Sequence, residues 1–156
     1  MTEGEALLAL RGDDPQLAAR AANLLWRLWH RSGDPELDAI LGEGTAAMER
    51  GDHAAAEALF TRLIAVAPHF AEAWNKRATV RYVAKDYDGS ISDCRQVLAR
   101  NPNHFGALSG QGLCHMALGQ WTEAAAMFRR TLAVSPHLEA ARENLRTALS
   151  EVVRWN

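Results

Sequence analysis

The sequence predicts an all-α fold in which three helical hairpins stack into a solenoid, with N-terminal helices before them and a C-terminal capping helix after them. One observation is a fixed period, because Pro68, Pro102 and Pro136 lie 34 residues apart, and such a period indicates an internal repeat. Another is that apolar residues superpose at helical spacing when the sequence is shifted by one period. The superposed sets are Ala65, Ala99 and Ala133; Ile64, Leu98 and Leu132; and Met48, Tyr82 and Met116.

Residues 1–36 contain two helix starts, since Asp14 precedes Pro15 and Asp34 precedes Pro35. An aspartate at the N-cap followed by a proline at the first helical position is a characteristic start signal. Between the two starts, one helix is predicted for the segment QLAARAANLLWRLWHR, and a shorter helix is expected before it, over about residues 3–11. We interpret the pair as a degenerate repeat. The residues expected to face inward are Leu17, Ala21, Leu24, Leu25 and Leu28.

Each of the three repeat units divides into two helices at a short turn. The turns are RGDH, AKDY and LGQW, at equivalent positions of the three units. Turn residues between two helical patterns are typical of a helical hairpin. We assign the units to residues 37–70, 71–104 and 105–138.

The last segment, residues 139–156, is amphipathic. Ala141, Leu145 and Leu149 fall on one face of a helix, while charged residues occupy the other. The terminal repeat of a solenoid has no neighbour to cover its apolar side. The segment is therefore predicted to be a capping helix.

The repeat resembles the tetratricopeptide repeat, a 34-residue helix-turn-helix with the pattern W-x2-L-G-x2-Y, then A-x3-F, then P. The first unit matches at Gly44, Ala56, Phe60 and Pro68, and the third at Gly112, Ala124, Phe128 and Pro136. The second unit keeps Trp74, Ala78 and Pro102 but has Arg77, Arg81, Ser90 and Cys94 where Leu, Tyr, Ala and Phe are usual. The stretches FAEAWNKRATV and HFGALSG are similar to small bacterial members. The resemblance implies a right-handed superhelix with a concave face.

The glycine-rich segment HFGALSGQGL raises the alternative of a phosphate-binding loop. Such a loop follows a strand and carries a GK[ST] sequence, and this chain has neither. Gly112 lies in the register of Gly44 and Ala78, where the two helices of a hairpin approach closely. Gly106 and Gly110 have no such explanation, although a helical glycine costs about 1 kcal/mol relative to alanine.

Composition restricts the class of partner. The 17 basic and 19 acidic residues leave a net charge of −2, which gives no field that attracts nucleic acid or an anionic membrane. No segment has the length of a membrane span, and the N-terminus does not read as a secretion signal. We expect a cytoplasmic protein whose two cysteines, Cys94 and Cys114, are free and buried.

The sequence offers little for catalysis or for a cofactor. A zinc ion needs three or four ligands about 2 Å away, whereas the histidines are expected on separate hairpins. Cys114 and His115 are adjacent, but neighbours on a helix point about 100° apart and do not form a nucleophile and base pair. We therefore expect no enzyme, no cofactor and no metal.

The resemblance implies a binding groove lined by particular positions of the first helix of each unit. The alternative is that some of these residues pack against a neighbouring helix instead of lining the groove. The groove is expected to be acidic in the first two units and uncharged in the third. The candidate groove residues are Leu41, Thr45, Met48, Glu49, Glu72, Asn75, Thr79, Tyr82, Gly106, Ser109, Gly110, Leu113 and Met116.

One subset of the family binds acidic chaperone tails through a carboxylate clamp of Lys, Asn and Arg. This chain has Leu41, Thr45, Gly106 and Gly110 at positions where the resemblance implies clamp residues. The clamp is thus absent. Methionine and aromatic side chains suggest instead an adaptable groove for an apolar or helical protein segment, with basic flanks that face Asp38, Glu49 and Glu72.

Two functional hypotheses follow. The first is a protein-interaction module, an adaptor or scaffold, in which Gly106 and Gly110 form a pocket; the alternative is that a neighbouring helix, such as the C-terminal one, fills this space. The second is a structural protein that self-associates through Trp26, Trp29 and Trp155 near the chain ends. We expect a monomer or a weak homo-oligomer.

Overall fold

The structure is a computed structural model that describes residues 1–156 as nine α-helices without a β-strand. The helices are α1 Glu3–Arg11, α2 Pro15–Trp29, α3 Pro35–Glu49, α4 His53–Val66, α5 Ala71–Val83, α6 Tyr87–Arg100, α7 Phe105–Ala117, α8 Trp121–Val134 and α9 Glu139–Trp155. Helices α3 to α8 pair as three successive hairpins, α1 packs on α2, and α9 packs on α8. The expected all-α solenoid is therefore confirmed.

Local sequence signals set where the helices begin and where the hairpins turn. Asp14 and Asp34 each cap a helix that opens on proline, and each carboxylate accepts a backbone N–H of the first turn. The three hairpin turns contain a left-handed residue at the same repeat position, namely Gly51 at φ 77°, Lys85 at φ 63° and Gly119 at φ 70°. Glycine adopts this conformation without steric cost, so the second unit departs from the pattern here too.

The first and third hairpins are held by a glycine against a phenylalanine. A Cβ on Gly112 would lie 2.7 Å from the Phe128 ring, and a Cβ on Gly44 would overlap the Phe60 ring. Both phenylalanines are fully buried. The prediction that only a small residue fits at Gly44 and Gly112 is confirmed.

The unusual arginines of the second hairpin form an ionic network around a buried carboxylate. The Arg77 guanidinium donates two hydrogen bonds to the Asp93 carboxylate, at 2.9 and 2.8 Å, and another to Thr61 Oγ1 at 3.2 Å. Arg81 donates to Asp93 at 3.2 Å and to Glu57 at 2.9 Å. Asp93 is 1% exposed, and burying a carboxylate requires this kind of compensation. The arginines are thus part of the packing between α4, α5 and α6.

The N-terminal hairpin packs on the third hairpin. Its apolar face joins residues of α7 and α8 in one cluster, while the cluster around the first hairpin contains no residue of α1 or α2. A degenerate repeat would be expected to stack before the first unit. The N-terminal hairpin does not do so and packs on the third unit instead. The cluster contains Ala6, Leu10, Ala21, Leu25, Phe105, Leu108, Met127 and Val134.

Polar contacts fix the N-terminal hairpin in this position. Arg11 Nη2 donates to Asn103 Oδ1 at 3.0 Å, and the His137 Nε2 lies 2.7 Å from the carbonyl oxygen of Gly12. Leu17, which the sequence places inward, is 39% exposed, because the buried face of α2 is centred on its alanines and Leu25.

Helix α9 covers the open side of the third hairpin. Ala141 and Ala148 are fully buried in a cluster with Phe128, and Leu145 and Leu149 pack against that cluster. This is the contact expected of a capping helix. None of the nine helices combines the length and the apolar composition of a membrane span.

Candidate functional site

The concave face contains a cavity of about 540 Å³ between the second and third hairpins. Ala78, Ser90 and Cys94 form its floor, and residues of α5 and α7 form its walls. We call it the central pocket. Its lining residues are Trp26, Asn75, Ala78, Thr79, Tyr82, Val83, Ser90, Cys94, Phe105, Gly106, Ser109, Gly110, Leu113 and Leu138.

The pocket exists because the second unit has a small residue where its neighbours have a phenylalanine. Cys94 lies in the register of Phe60 and Phe128, whose rings fill the corresponding space of their own hairpins. The Ser90 hydroxyl donates to the Ala78 carbonyl oxygen at 2.7 Å, so the polar atom of the floor is already satisfied. What remains toward the groove is a mainly apolar depression.

The α7 side of the pocket has little side-chain bulk because it carries glycine. A Cβ on Gly110 would lie 3.7 Å from Cys94 Sγ and meet nothing closer, so the space above this residue is open. On the other wall, Tyr82 contacts Tyr87 edge to face, with ring centroids 5.6 Å apart. The pocket therefore has one bulky aromatic side and one flat backbone side.

The structure brings seven of the thirteen candidate groove residues together around this pocket. The seven are Asn75, Thr79, Tyr82, Gly106, Ser109, Gly110 and Leu113. All seven come from the second and third units, so the pocket is more local than a groove along the whole solenoid.

The other six candidates lie elsewhere. Leu41 is buried in the core of the first hairpin, so its assignment to the groove surface is wrong. Glu72 is 1% exposed, so it is also unavailable to a partner. Thr45 donates to the Leu41 carbonyl oxygen. Of the remainder, Met48 packs on the first core, Met116 packs toward α9, and Glu49 is exposed.

Trp26 closes one end of the pocket. A Cβ on Gly106 would lie 2.6 Å from Trp26 Cη2, so the space beside this glycine is filled by the chain itself. The alternative that a neighbouring helix fills this site is therefore correct for Gly106, with α2 rather than the C-terminal helix as the occupant. Trp26 and Cys94 were not among the candidates, although Cys94 already stood out as a departure from the repeat pattern.

A buried carboxylate anchors α2 beside the pocket. Glu72 Oε2 lies 3.1 Å from His104 Nε2, and Glu72 Oε1 lies 3.3 Å from His30 Nε2 and accepts from Asn75 at 3.0 Å. Because His104 Nδ1 accepts the Ala107 N–H, His104 Nε2 carries the proton donated to Glu72. Burial by itself raises the pKa of Glu72, but the two histidines and Asn75 outweigh it and lower the pKa below 4.5.

Neither cysteine is set up as a nucleophile. Burial, aided by the nearby Cys114 and Asp93, raises the pKa of the Cys94 thiol to about 12. Burial also raises the pKa of Cys114. The reactive form is the thiolate, so these groups act as small apolar side chains. No group of three or more histidine, cysteine, aspartate or glutamate side chains is placed to hold a metal ion.

Comparisons with known sequences agree with the repeat pattern. Two family models, each described as a tetratricopeptide repeat, match residues 41–103 and 83–149. A TPR repeat-containing protein of Rhizobium etli is 38% identical over 100 residues, which cover 64% of this chain and 49% of that protein. The chain thus spans about half the length of this relative. An FK506-binding protein-like protein of Mus musculus is 44% identical over 56 residues, which cover 36% of this chain and 16% of that protein.

Solved structures share the fold. The first TPR of Spaghetti (RPAP3), bound to the HSP90 peptide SRMEEVD, superposes with a TM-score of 0.74 at 22% identity, over 75% of this chain and 93% of that one. The Sgt2 TPR domain of Aspergillus fumigatus gives the same TM-score and identity, over 79% of this chain and 83% of that domain. At this identity the likeness shows the fold alone.

Proposed function

Because the chain belongs to the tetratricopeptide repeat family, as its two family matches and its repeat architecture show, we propose that it is a protein-interaction module without catalytic activity. As an adaptor or scaffold, it holds an apolar or helical segment of a partner protein in its concave groove. The partner inserts one large apolar side chain into the central pocket. We propose neither a nucleic-acid partner nor a cofactor, and we propose that the protein is cytoplasmic.

The observation that carries the proposal is the empty floor above Cys94. A cavity of about 540 Å³ lies within the usual range of about 300–1,000 Å³ for ligand sites. It is lined mainly by apolar atoms, and the buried hydroxyl of Ser90 is paired within the chain. An apolar side chain therefore enters the pocket without leaving this buried hydroxyl unsatisfied.

The bound peptides of related domains supply the precedent for a protein partner. The RPAP3 domain carries an HSP90 peptide, and the TPR2B domain of yeast Sti1 is described in complex with Hsp70. This chain lacks the clamp residues that bind acidic chaperone tails in one subset of the family. Leu41 is buried and Gly106 is covered by Trp26, which favours an apolar anchor instead.

The test fills the pocket without disturbing the fold. In Gly110→Leu, the new Cβ makes an ordinary contact with Cys94 Sγ at 3.7 Å, and the rest of the side chain takes up space in the central pocket, which Gly110 lines. The matched control is Gly42→Leu, a helical glycine on α3 whose Cβ would have nothing within 4 Å. Both proteins are used to select peptides from a displayed random-peptide library.

We expect the parent and Gly42→Leu to enrich peptides that share a large aromatic or aliphatic residue, and Gly110→Leu to lose this enrichment. Circular dichroism checks that all three proteins are equally helical. Failure of the parent to enrich any peptide, or equal enrichment by Gly110→Leu, contradicts the proposed function.

The packing of two tryptophans within the chain weakens the alternative of self-association. Trp26 and Trp29 pack against each other and against Phe105, so these two tryptophans are not free stacking surfaces. Trp155 and Val153 remain exposed at 71% and 78%, and they are what favours this second candidate. Light scattering at several concentrations decides it, since a constant monomer mass rules it out.

A further inference from the structure

A second cavity, of about 350 Å³, adjoins the central pocket. It is formed by Trp26, Arg27, His30 and Arg31, all near the C-terminal end of α2. Trp26 lines both cavities. A ligand that leaves the central pocket across this indole therefore meets the cationic side chains of the second cavity, which we call the basic rim.

The two arginines of the basic rim are free to bind an anion. Arg27 lies in the last turn of α2, Arg31 lies two residues beyond its end, and both are exposed. Every salt bridge in the structure is made by other residues. The nearby Glu72 carboxylate is buried behind His30, where it is bound by His104 and Asn75.

Of the three acidic groups expected to face a basic partner, Asp38 and Glu72 are hydrogen-bonded within the chain, and the exposed Glu49 lines neither cavity. Asp38 Oδ1 accepts hydrogen bonds from the Ser32 N–H at 2.8 Å and the Ser32 hydroxyl at 2.7 Å. Glu72 is buried. The unpaired charge beside the pocket is therefore positive, which is the opposite of the charge that the sequence suggested.

We propose that the partner segment carries an acidic side chain next to its apolar anchor, and that Arg27 and Arg31 bind this carboxylate while the anchor fills the central pocket. This inference rests on the proposed function and specifies the chemistry of its partner. A guanidinium pairs with a carboxylate through two parallel hydrogen bonds. The acidic residue lies within about three positions of the anchor, because an extended chain advances about 3.4 Å per residue and a single indole separates the cavities.

The test uses the displayed random-peptide library with a charge-reversed protein. Arg27→Glu/Arg31→Glu changes only exposed side chains, and Arg62→Glu/Arg129→Glu is the matched control, with the same change of net charge on α4 and α8. Arg62 and Arg129 are likewise exposed and outside both cavities. Circular dichroism of each variant verifies the helical content.

We expect the parent and the control to enrich Asp or Glu within three positions of the apolar anchor, and the charge-reversed variant to enrich Lys or Arg there. For one synthetic peptide with the selected acidic flank, the reversal should weaken binding about tenfold, which is the size expected for a few exposed ion pairs, and the loss should shrink at high salt.

The outcomes separate this inference from the proposed function. If the parent enriches an apolar anchor with no charge preference, the proposed role of the basic rim is wrong, while the proposed role of the central pocket is supported. If the acidic preference persists in Arg27→Glu/Arg31→Glu, the arginines are not its source and the inference fails. If no peptide is enriched, the proposed function fails and the inference with it.

Discussion

At the scale of single residues, the glycines of α7 show how the same residue serves three different purposes. Gly112 permits contact with Phe128, Gly106 permits contact with Trp26, and Gly110 leaves a space that nothing fills. The sequence identified the first purpose because Gly112 repeats in register with Gly44. It could not distinguish the other two, because their neighbours come from helices distant in the chain.

Alanine substitution should distinguish Gly110 from Gly106. In Gly110→Ala, the Cβ makes an ordinary contact with Cys94 at 3.7 Å, and the helix gains up to about 1 kcal/mol from alanine's higher propensity. In Gly106→Ala, the Cβ would lie 2.6 Å from Trp26 and 3.2 Å from His104, and such overpacking costs about 1–3 kcal/mol. We expect urea unfolding to show the first variant stabilised and the second destabilised.

A matched result at an exposed site supports this interpretation. Gly42→Ala has open space around it and should gain stability by helix propensity alone. If Gly106→Ala is stabilised as much as Gly42→Ala, then Trp26 does not occupy the space beside Gly106.

At the scale of elements, the second hairpin replaces apolar repeat residues with a set that is consistent within itself. Arg77 and Arg81 converge on Asp93, while Cys94 contributes little volume and leaves the central pocket open. Sequence comparison between units showed that this hairpin is degenerate. It did not show that the arginines and the aspartate neutralise one another, because the arginines of α5 meet Asp93 of α6 only when the two helices pack together.

Removing one member of this network should be more damaging than removing two. Asp93→Leu leaves Arg77, whose side chain is 12% exposed, without its carboxylate partner, and a broken buried pair typically costs about 3–5 kcal/mol. Arg77→Leu/Asp93→Leu removes both charges at once and should lose less stability than Asp93→Leu, which urea unfolding measures directly. A double variant less stable than both single variants would show that the arginine stabilises by packing alone.

At the scale of the whole molecule, the N-terminal hairpin returns across the solenoid and completes the candidate site. Trp26 supplies one end of the central pocket, and the Trp29 ring stacks on His104 with centroids 4.7 Å apart. Glu72 links α2 to α5 and α7 through His30 and His104. The attachment of α2 therefore combines aromatic packing with hydrogen bonding to one buried carboxylate.

This contact should make stability depend on pH. The pKa of Glu72 is lowered in the folded protein relative to its usual 4.5, so its contribution is complete above that value and is lost as the pH falls through the folded pKa. Unfolding free energies measured from about pH 6 down to about pH 3 should decline less steeply for Glu72→Gln than for the parent. Glu49→Gln, at an exposed carboxylate, is the control and should follow the parent; a Glu72→Gln curve parallel to the parent's contradicts the assignment.

The sequence by itself determined the repeat architecture, because a 34-residue period, turn residues and the recurrence of glycine and phenylalanine at matching positions are features that local sequence carries. It also determined the helix starts at Pro15 and Pro35, since a cap depends on residues within one turn. Only the tertiary structure decided where the N-terminal hairpin binds, that Glu72 is buried, and that the unpaired charge beside the pocket is positive. These features depend on contacts between α2 and the third hairpin. Residues some 80 positions apart meet there, as Trp26 and Gly106 do, and no local pattern records which surface a helix covers.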